Sequence, residues 1–197
     1  EFIDNRSEVL SPTTIALYRV IARTAFRDVK EVRVCDLTQT MIQKTVNQYC
    51  KNRAHKTVAN AVSFLEVVMK EYRPDFKYKV LMPQKSRAEI LIPSKEDVSK
   101  LVEQSNGTAI HLPILMASQL GMRRGEICAI TWDDIDLENR TLRIDESLAE
   151  DEFGDLVRKK PKTTQSERTL KLTQQIIDNL PPKGSKIITI APKTITK

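Results

Sequence analysis

Apolar positions recur at helical spacing through the first third of the chain. Ile15, Tyr18, Ala22, Ala25 and Phe26 fall on one face of a helix that Ser11 caps and Pro12 begins. Serine accepts from first-turn amides, and proline gives up only an amide that would otherwise go unpaired. Thr38 marks the cap of a second helix, in which Ile42, Val46 and Tyr49 share a face. A third runs from about Lys56 with Val58, Val62, Leu65 and Met69, and Pro74 stops it. Short amphipathic helices in succession, with little strand signal, predict a helical bundle.

The pattern then changes. From Arg73 to Pro93, prolines 74, 83 and 93 alternate with Lys77, Lys79, Lys85 and Arg87, which predicts a basic linker with a short closing strand at Ile90 to Ile92. Ser94-Lys95-Glu96-Asp97 starts a new helix with Val98, Leu101 and Val102 behind it. After the Asn106-Gly107 turn, the apolar segment Ile110 to Leu120 is a helix that Gly121 ends, and a short helix with Ile127, Ile130 and Trp132 follows. Residues 133–140 are turn-like. Alternation predicts strands at Thr141 to Ile144, Leu156 to Arg158 and Arg168 to Leu172, with a strand-like stretch at Lys186 to Ile190 and a helix opening at Thr194-Ile195. The expected fold is mainly α, with an α+β second domain whose helices flank a small three-stranded antiparallel sheet. The expected divisions are a helical domain at 1–73, a linker at 74–93 and a mixed domain at 94–197.

Composition places this pattern in a class. The chain has 197 residues, 40% of them hydrophobic, with 32 Lys and Arg against 26 Asp and Glu. Charge is segregated. Residues 1–93 hold 16 cations against 10 anions, so the whole excess of +6 lies there. Residues 94–157 are acidic, with 6 against 14, and residues 158–197 are basic again, with 10 against 2. Cys35, Cys50 and Cys128 are odd in number and widely spaced, which suits reduced thiols and a cytoplasmic setting. His55 and His111 lie far from any cysteine, so no metal-ligand spacing arises, and no stretch has membrane-spanning length. The chain opens on Glu1 without a signal-peptide pattern, and Glu1-Phe2 reads as a cloning remnant on a fragment.

Two cationic features invite chemistry. Arg19, Arg23 and Arg27 recur every fourth residue and form a stripe suited to phosphates, or equally an ordinary solvated face. Arg123 sits at the junction of two helices in the acidic stretch, and Glu126 follows three residues on, within reach to orient its guanidinium. On spacing alone, the pair is also readable as a surface ion pair worth a few tenths of a kcal/mol.

Gly121-Met122-Arg123-Arg124-Gly125-Glu126, followed by Trp132-Asp133-Asp134-Ile135-Asp136, resembles the first conserved box of the tyrosine recombinases, the phage integrase family. The resemblance implies that Arg123 binds the scissile phosphate and that Glu126 supports it. Arg124 falls at a variable position, which leaves it among the DNA contacts. The stretch Lys159 to Arg168 is similar to the family's lysine hairpin, with the essential lysine on Lys162, followed by Thr163, Ser166 and Arg168. Ser11-Pro12-Thr13-Thr14 with Tyr18, and Lys56-Thr57-Val58 with Asn60, resemble the family's core-binding domain, although Ala54-His55 stands where Ser-Pro is common. The DNA contacts implied are Thr13, Arg19, Arg23, Lys56, Thr57, Asn60, Lys85, Arg87, Arg124, Thr163 and Arg168.

The activity implied is site-specific recombination of double-stranded DNA through a phosphotyrosine, by a multimer on DNA, without cofactor or metal. Such chemistry needs a nucleophile, cations about the phosphorane and an acid for the 5′ oxygen. Arg123 and Lys162 suit the last two tasks. The family's His-x-x-Arg box and late tyrosine have no counterpart here, since Tyr18, Tyr49, Tyr72 and Tyr78 all precede Arg123. The expectation is a truncated piece that binds DNA and does not cleave it alone. A non-cleaving DNA-binding regulator or decayed relative, and an RNA-binding helical module, are the alternatives.

Overall fold

A computed structural model describes residues 1–85, 91–151, 153–160, 167–192 and 195. The chain forms two compact units, Glu1–Ile90 and Leu91–Lys197.

The first unit is built on α1 (Pro12–Thr24), α2 (Gln39–Tyr49) and α3 (His55–Tyr72). The Ser11 hydroxyl accepts from the Thr14 amide and the Thr38 hydroxyl from the Met41 amide, the caps the sequence predicts. The buried face of α1 is Ile15 and Ile21, with Ala25 just beyond the helix, whereas Ala22 is exposed. Expecting Ala22 inside overlooked Ile21, which buries more apolar surface on the neighbouring row. The three-arginine stripe also stops short. α1 ends at Thr24 and Phe26 turns left-handed (φ 55°), so Arg27 begins a 3-10 turn and only Arg19 and Arg23 share the helix. Val58, Val62 and Met69 of α3 are buried as expected. Phe2 is also buried, edge-on to Phe64 with ring centroids 5.9 Å apart, so the opening residues pack as part of the fold.

The stretch after α3 does more than connect. Phe76, Tyr78, Val80 and Met82 pack on the buried residues of α2 and α3, while Lys77, Lys79 and Leu81 face outward. Two glutamines clasp this strap. Gln39 accepts from the Lys79 amide (2.9 Å) and donates to its carbonyl (2.6 Å), and Gln43 does the same for Leu81 (2.8 and 3.2 Å). The match follows from pitch, since four residues of helix rise about 6 Å and two of extended chain about 6.6 Å. Residues 91–94 carry no strand, so the strand expected at Ile90 to Ile92 is absent at Leu91 and Ile92, and Ile90 lies outside the described residues.

Among its described residues, the second unit comprises α4 (Lys95–Ser105), α5 (His111–Leu120), α6 (Arg124–Ala129), five short strands and α7 (Gln174–Asp178). Ser94 and Asp97 form the expected capping box, and Val102 reaches the core as expected, but Leu101 is half exposed. The strands are β1 (Ile135–Asp136), β2 (Thr141–Ile144), β3 (Ser147–Glu150), β4 (Leu156–Lys159) and β5 (Arg168–Lys171). The three-stranded antiparallel sheet is present in the order β1-β2-β5, but its membership differs from the one predicted, because β4 pairs with β3 in a separate hairpin. Glu150 opposite Leu156 and Ser147 opposite Lys159 fix that hairpin's register. Strand β3 escaped detection because Ser147-Leu148-Ala149-Glu150 lacks β-branched residues and is half-buried throughout. Residues 186–190 are irregular, although Ile187 and Ile188 are buried. One core joins α5, α6, β2 and α7 through Leu115, Met116, Ile127, Leu142 and Ile176.

Candidate functional site

α5 ends where Gly121 takes φ 62°, and buried Met122 then anchors the turn. Arg123 is the extended N-cap residue of α6. Arginine has no acceptor with which to cap a helix, so this position is not explained by helix stability. Glu126 supplies the missing acceptor. Its Oε2 takes the Arg123 backbone amide at 2.8 Å, and its Oε1 takes Nη1 of the same residue at 2.9 Å. Across the sheet, Arg168 at the start of β5 donates Nη2 to Oε2 (2.7 Å) and Nη1 to Oε1 (3.1 Å). Four donors thus occupy one carboxylate, about the number a carboxylate can accept.

Burial and charge settle what the triad can do. Glu126 is 7% exposed, whereas the Arg123 side chain is 73% exposed and that of Arg168 27%. Burial alone would raise the Glu126 pKa, but hydrogen bonds from Arg168 and from the Arg123 backbone and side chain outweigh it and hold the group at about 2. Glu126 is therefore an anion throughout the physiological range, and the cluster keeps one net positive charge, presented outward on Arg123. An exposed guanidinium held by one nitrogen, with the others turned to solvent, is ready to meet an oxyanion.

Two further contacts seat α6. A Cβ on Gly125 would lie 2.4 Å from Ser147 Oγ and 2.7 Å from the Leu148 carbonyl oxygen, so the hairpin crosses α6 where only glycine fits. From β4, Arg158 donates to the Ala129 carbonyl at the C-terminal end of α6 (3.0 Å) and to Glu146. Sequence reading missed Arg158, because nothing in its local pattern distinguishes it from a strand cation. The Gly125 signal was present in the motif itself.

The remaining predicted residues divide. Arg168, expected at DNA, spends two guanidinium nitrogens on Glu126 and acts as a strut. Arg124 is exposed on the first turn of α6. Lys162, Thr163 and Arg87 lie outside the described residues, as does Ser166. Lys85 is exposed beyond the strap. In the first unit, Thr13 lies in the first turn of α1, with its hydroxyl 3.2 Å from that of Ser11, Arg23 is exposed, and Arg19 reaches Asp4 at 3.2 Å. Lys56, Thr57 and Asn60 occupy the first two turns of α3, with Lys56 and Thr57 exposed; the N-cap there, Ala54, has no side-chain acceptor. Among the described residues, no group of His, Cys, Asp or Glu could hold a metal ion, and no helix is long and apolar enough to cross a membrane.

Residues 92–182 match the model of the phage integrase family. Over 171 residues the chain is 26% identical to a protein named tyrosine recombinase XerC-like from Caldanaerobacter subterraneus subsp. tengcongensis, covering 76% of this chain and 44% of the other. Over 110 residues it is 34% identical to the putative defective protein IntQ of Escherichia coli, covering 55% and 26%. These matches make residues 92–182 similar to the tyrosine recombinase, or phage integrase, family. The chain spans less than half the length of these curated relatives. Solved structures of the Tn1549 transposon integrase share the fold. The complex with transposon right end DNA superposes with a TM-score of 0.71 at 16% identity, over 89% of this chain and 60% of that one. A complex with circular intermediate DNA gives 0.69 at 13% identity, over 96% and 68%.

Proposed function

We propose that this chain is part of a site-specific recombinase that cuts and rejoins double-stranded DNA through a phosphotyrosine. The observation that carries this reading is the exposed Arg123 guanidinium, held in place by a buried carboxylate that Arg168 braces from behind. Arg123 would clamp the non-bridging oxygens of the scissile phosphate, where charge grows in the transition state. Lys162 would protonate the departing 5′ oxygen. Glu126 and Arg168 touch no substrate in this scheme; they fix the fork. The nucleophile would come from a tyrosine outside this sequence, since all four present precede Arg123.

DNA binding would rest on phosphates, through Arg19, Arg23, Lys56, Thr57 and Asn60 of the first unit and the exposed cations of the second. It would therefore weaken steeply with salt. The test has two arms. The chain, titrated with duplex DNA over a salt series, is expected to give a steep negative slope of log K against log salt. In the full-length protein, Arg123→Ala and Lys162→Ala are each expected to slow cleavage of a nicked trapping substrate about a hundredfold or more while leaving binding intact. Salt-independent binding, or normal cleavage by Arg123→Ala, would refute the reading. The name of the IntQ relative favours a second reading, a DNA-binding relative that no longer cleaves. It is the outcome in which binding is found and no covalent adduct forms with the full-length protein.

A further inference from the structure

Away from Arg123, the first unit holds a cavity of about 260 Å3 between the C-terminal ends of α1 and α2. Its walls include Arg27, Arg53, Thr45, Gln48 and Tyr49, with Asp28 as the one carboxylate. Three independent features indicate a built site. Phe26, also in the wall, adopts φ 55° and ψ 31°, which side-chain-bearing residues avoid, and this turn delivers Arg27 to the rim. The Arg53 guanidinium lies 4.3 Å over the Tyr49 ring, which in turn stacks on Phe26 at 6.1 Å, so the fork of Arg53 is held flat. Thr45 is 4% exposed, and its hydroxyl makes no hydrogen bond among the described residues. Helix residues with a hydroxyl normally return it to a carbonyl one turn back.

We propose that this cavity binds a phosphate group. Donors dominate it: two guanidiniums that form no ion pair among the described residues, an amide, a phenol and the Thr45 hydroxyl stand against the single carboxylate of Asp28. A planar guanidinium fork matches the oxygens of a phosphate. The volume lies below the roughly 300 Å3 at which drug-sized pockets begin, which fits a phosphate and the sugar it esterifies. The source is a DNA backbone phosphate or a free phosphate ester, and the first of these rests on the DNA-binding reading above. Arg53 directly precedes Ala54, where α3 begins without a side-chain cap, so the cavity adjoins the Lys56 and Thr57 positions.

The probes are inorganic phosphate, by calorimetry, and a duplex DNA in phosphate-free buffer, each with the 197-residue chain. Arg27→Ala, Arg53→Ala and Thr45→Val are compared with Lys30→Ala, which removes a charge outside the cavity. Each cavity variant is expected to lower phosphate affinity about tenfold, the usual cost of a charge-assisted hydrogen bond. Thr45→Val should do so with an unfolding midpoint no lower than wild type, because the hydroxyl it deletes makes no hydrogen bond among the described residues. If the Arg27 and Arg53 variants also each reduce the DNA salt slope by about one, the ligand is a backbone phosphate. If DNA binding is unchanged while phosphate binding falls, the site takes a free phosphate ester. Wild-type phosphate binding that is absent, or unmoved by all three cavity variants, overturns the proposal. A wild-type chain that binds phosphate in this cavity but no DNA would refute the DNA reading and leave the cavity proposal standing.

Discussion

The two units place their charge in opposite ways. The second buries a carboxylate beneath two guanidiniums and satisfies it with four donors, so the outward guanidinium of Arg123 has a defined orientation. The first leaves most of its cations exposed and clasps distant backbone with the neutral amides of Gln39 and Gln43 and with the Arg73 guanidinium, which donates to the Val34 and Leu37 carbonyls. Their cores differ in the same sense. Among the described residues, the second has one continuous cluster, and the first has three small ones sharing Phe26, Tyr49 and Val80 at their edges. Geometry at one phosphate requires a rigid frame and a fixed fork, while attraction to many phosphates requires only net charge within a Debye length.

The largest expected effect follows from removing the anion on which the second unit is organised. Glu126→Ala removes the carboxylate to which Arg123 and Arg168 both donate, and is expected to cost about 3 kcal/mol or more. Trp132 is the chain's one tryptophan, so its fluorescence reports on the second unit alone. Its unfolding midpoint should drop while the far-ultraviolet signal of the first unit persists. The same group sets an acid dependence. Because the folded pKa of about 2 lies below the ordinary 4.5, the stabilisation is complete above pH 5 and is lost as pH falls towards 2. Glu126→Ala should abolish most of that acid sensitivity in the Trp132 signal; an unchanged profile would remove Glu126 as its cause.

Next in size is Gly125→Ala. The added methyl meets Ser147 Oγ, which can rotate away, but also the Leu148 carbonyl, which cannot move without the hairpin. Overpacking of this kind costs about 1 to 3 kcal/mol, again in the second unit only. A neutral result by Trp132 fluorescence would show that the hairpin is not seated on α6.

How much of this was legible depended on whether a feature is local. Caps at Ser11, Thr38 and Ser94, the Gly121 stop and the core faces of α2 and α3 each follow from residues within a turn of one another, and all are present. Arg123 and Glu126 were legible as a pair for the same reason. What failed was long-range. The partner of Arg168 lies 42 residues away, that of Arg158 lies 29 away, and Gln39 meets Lys79 across 40. The strap, expected as a basic linker, shows the cause. Its Phe76, Tyr78 and Val80 alternate as a buried edge does, but three prolines nearby suggested a free connector.

That strap supplies the third contrast, between two changes of opposite sign in the first unit. Gln43→Ala removes both hydrogen bonds to Leu81 and one to Asn47, all at the surface, for an expected loss of about 1 kcal/mol. Amide exchange at Leu81 should accelerate while exchange in the second unit stays as it was. Tyr78 works the other way. Its hydroxyl is buried without a partner among the described residues, and burial, followed by the charge of Glu66, pushes its pKa up to about 12. Tyr78→Phe is therefore expected to stabilise the first unit by about 1 kcal/mol. Destabilisation would mean that the hydroxyl is satisfied after all.

The smallest effect on stability is expected at the residue on which the proposed chemistry depends. Arg123→Ala removes one of four donors to Glu126, and the lost side chain is 73% exposed, so solvent already screens its attraction. The backbone amide of residue 123 still donates to Oε2, and Arg168 still holds both oxygens. The Trp132 midpoint should therefore stay within about 0.5 kcal/mol of wild type. Arg168→Ala removes the two donors that reach across the sheet and should fall most of the way towards Glu126→Ala. The ordering sharpens the division of labour within the triad. If Arg123→Ala destabilised the second unit as much as Arg168→Ala, Arg123 would be a structural brace, and its exposed fork would lose its claim to be a phosphate clamp.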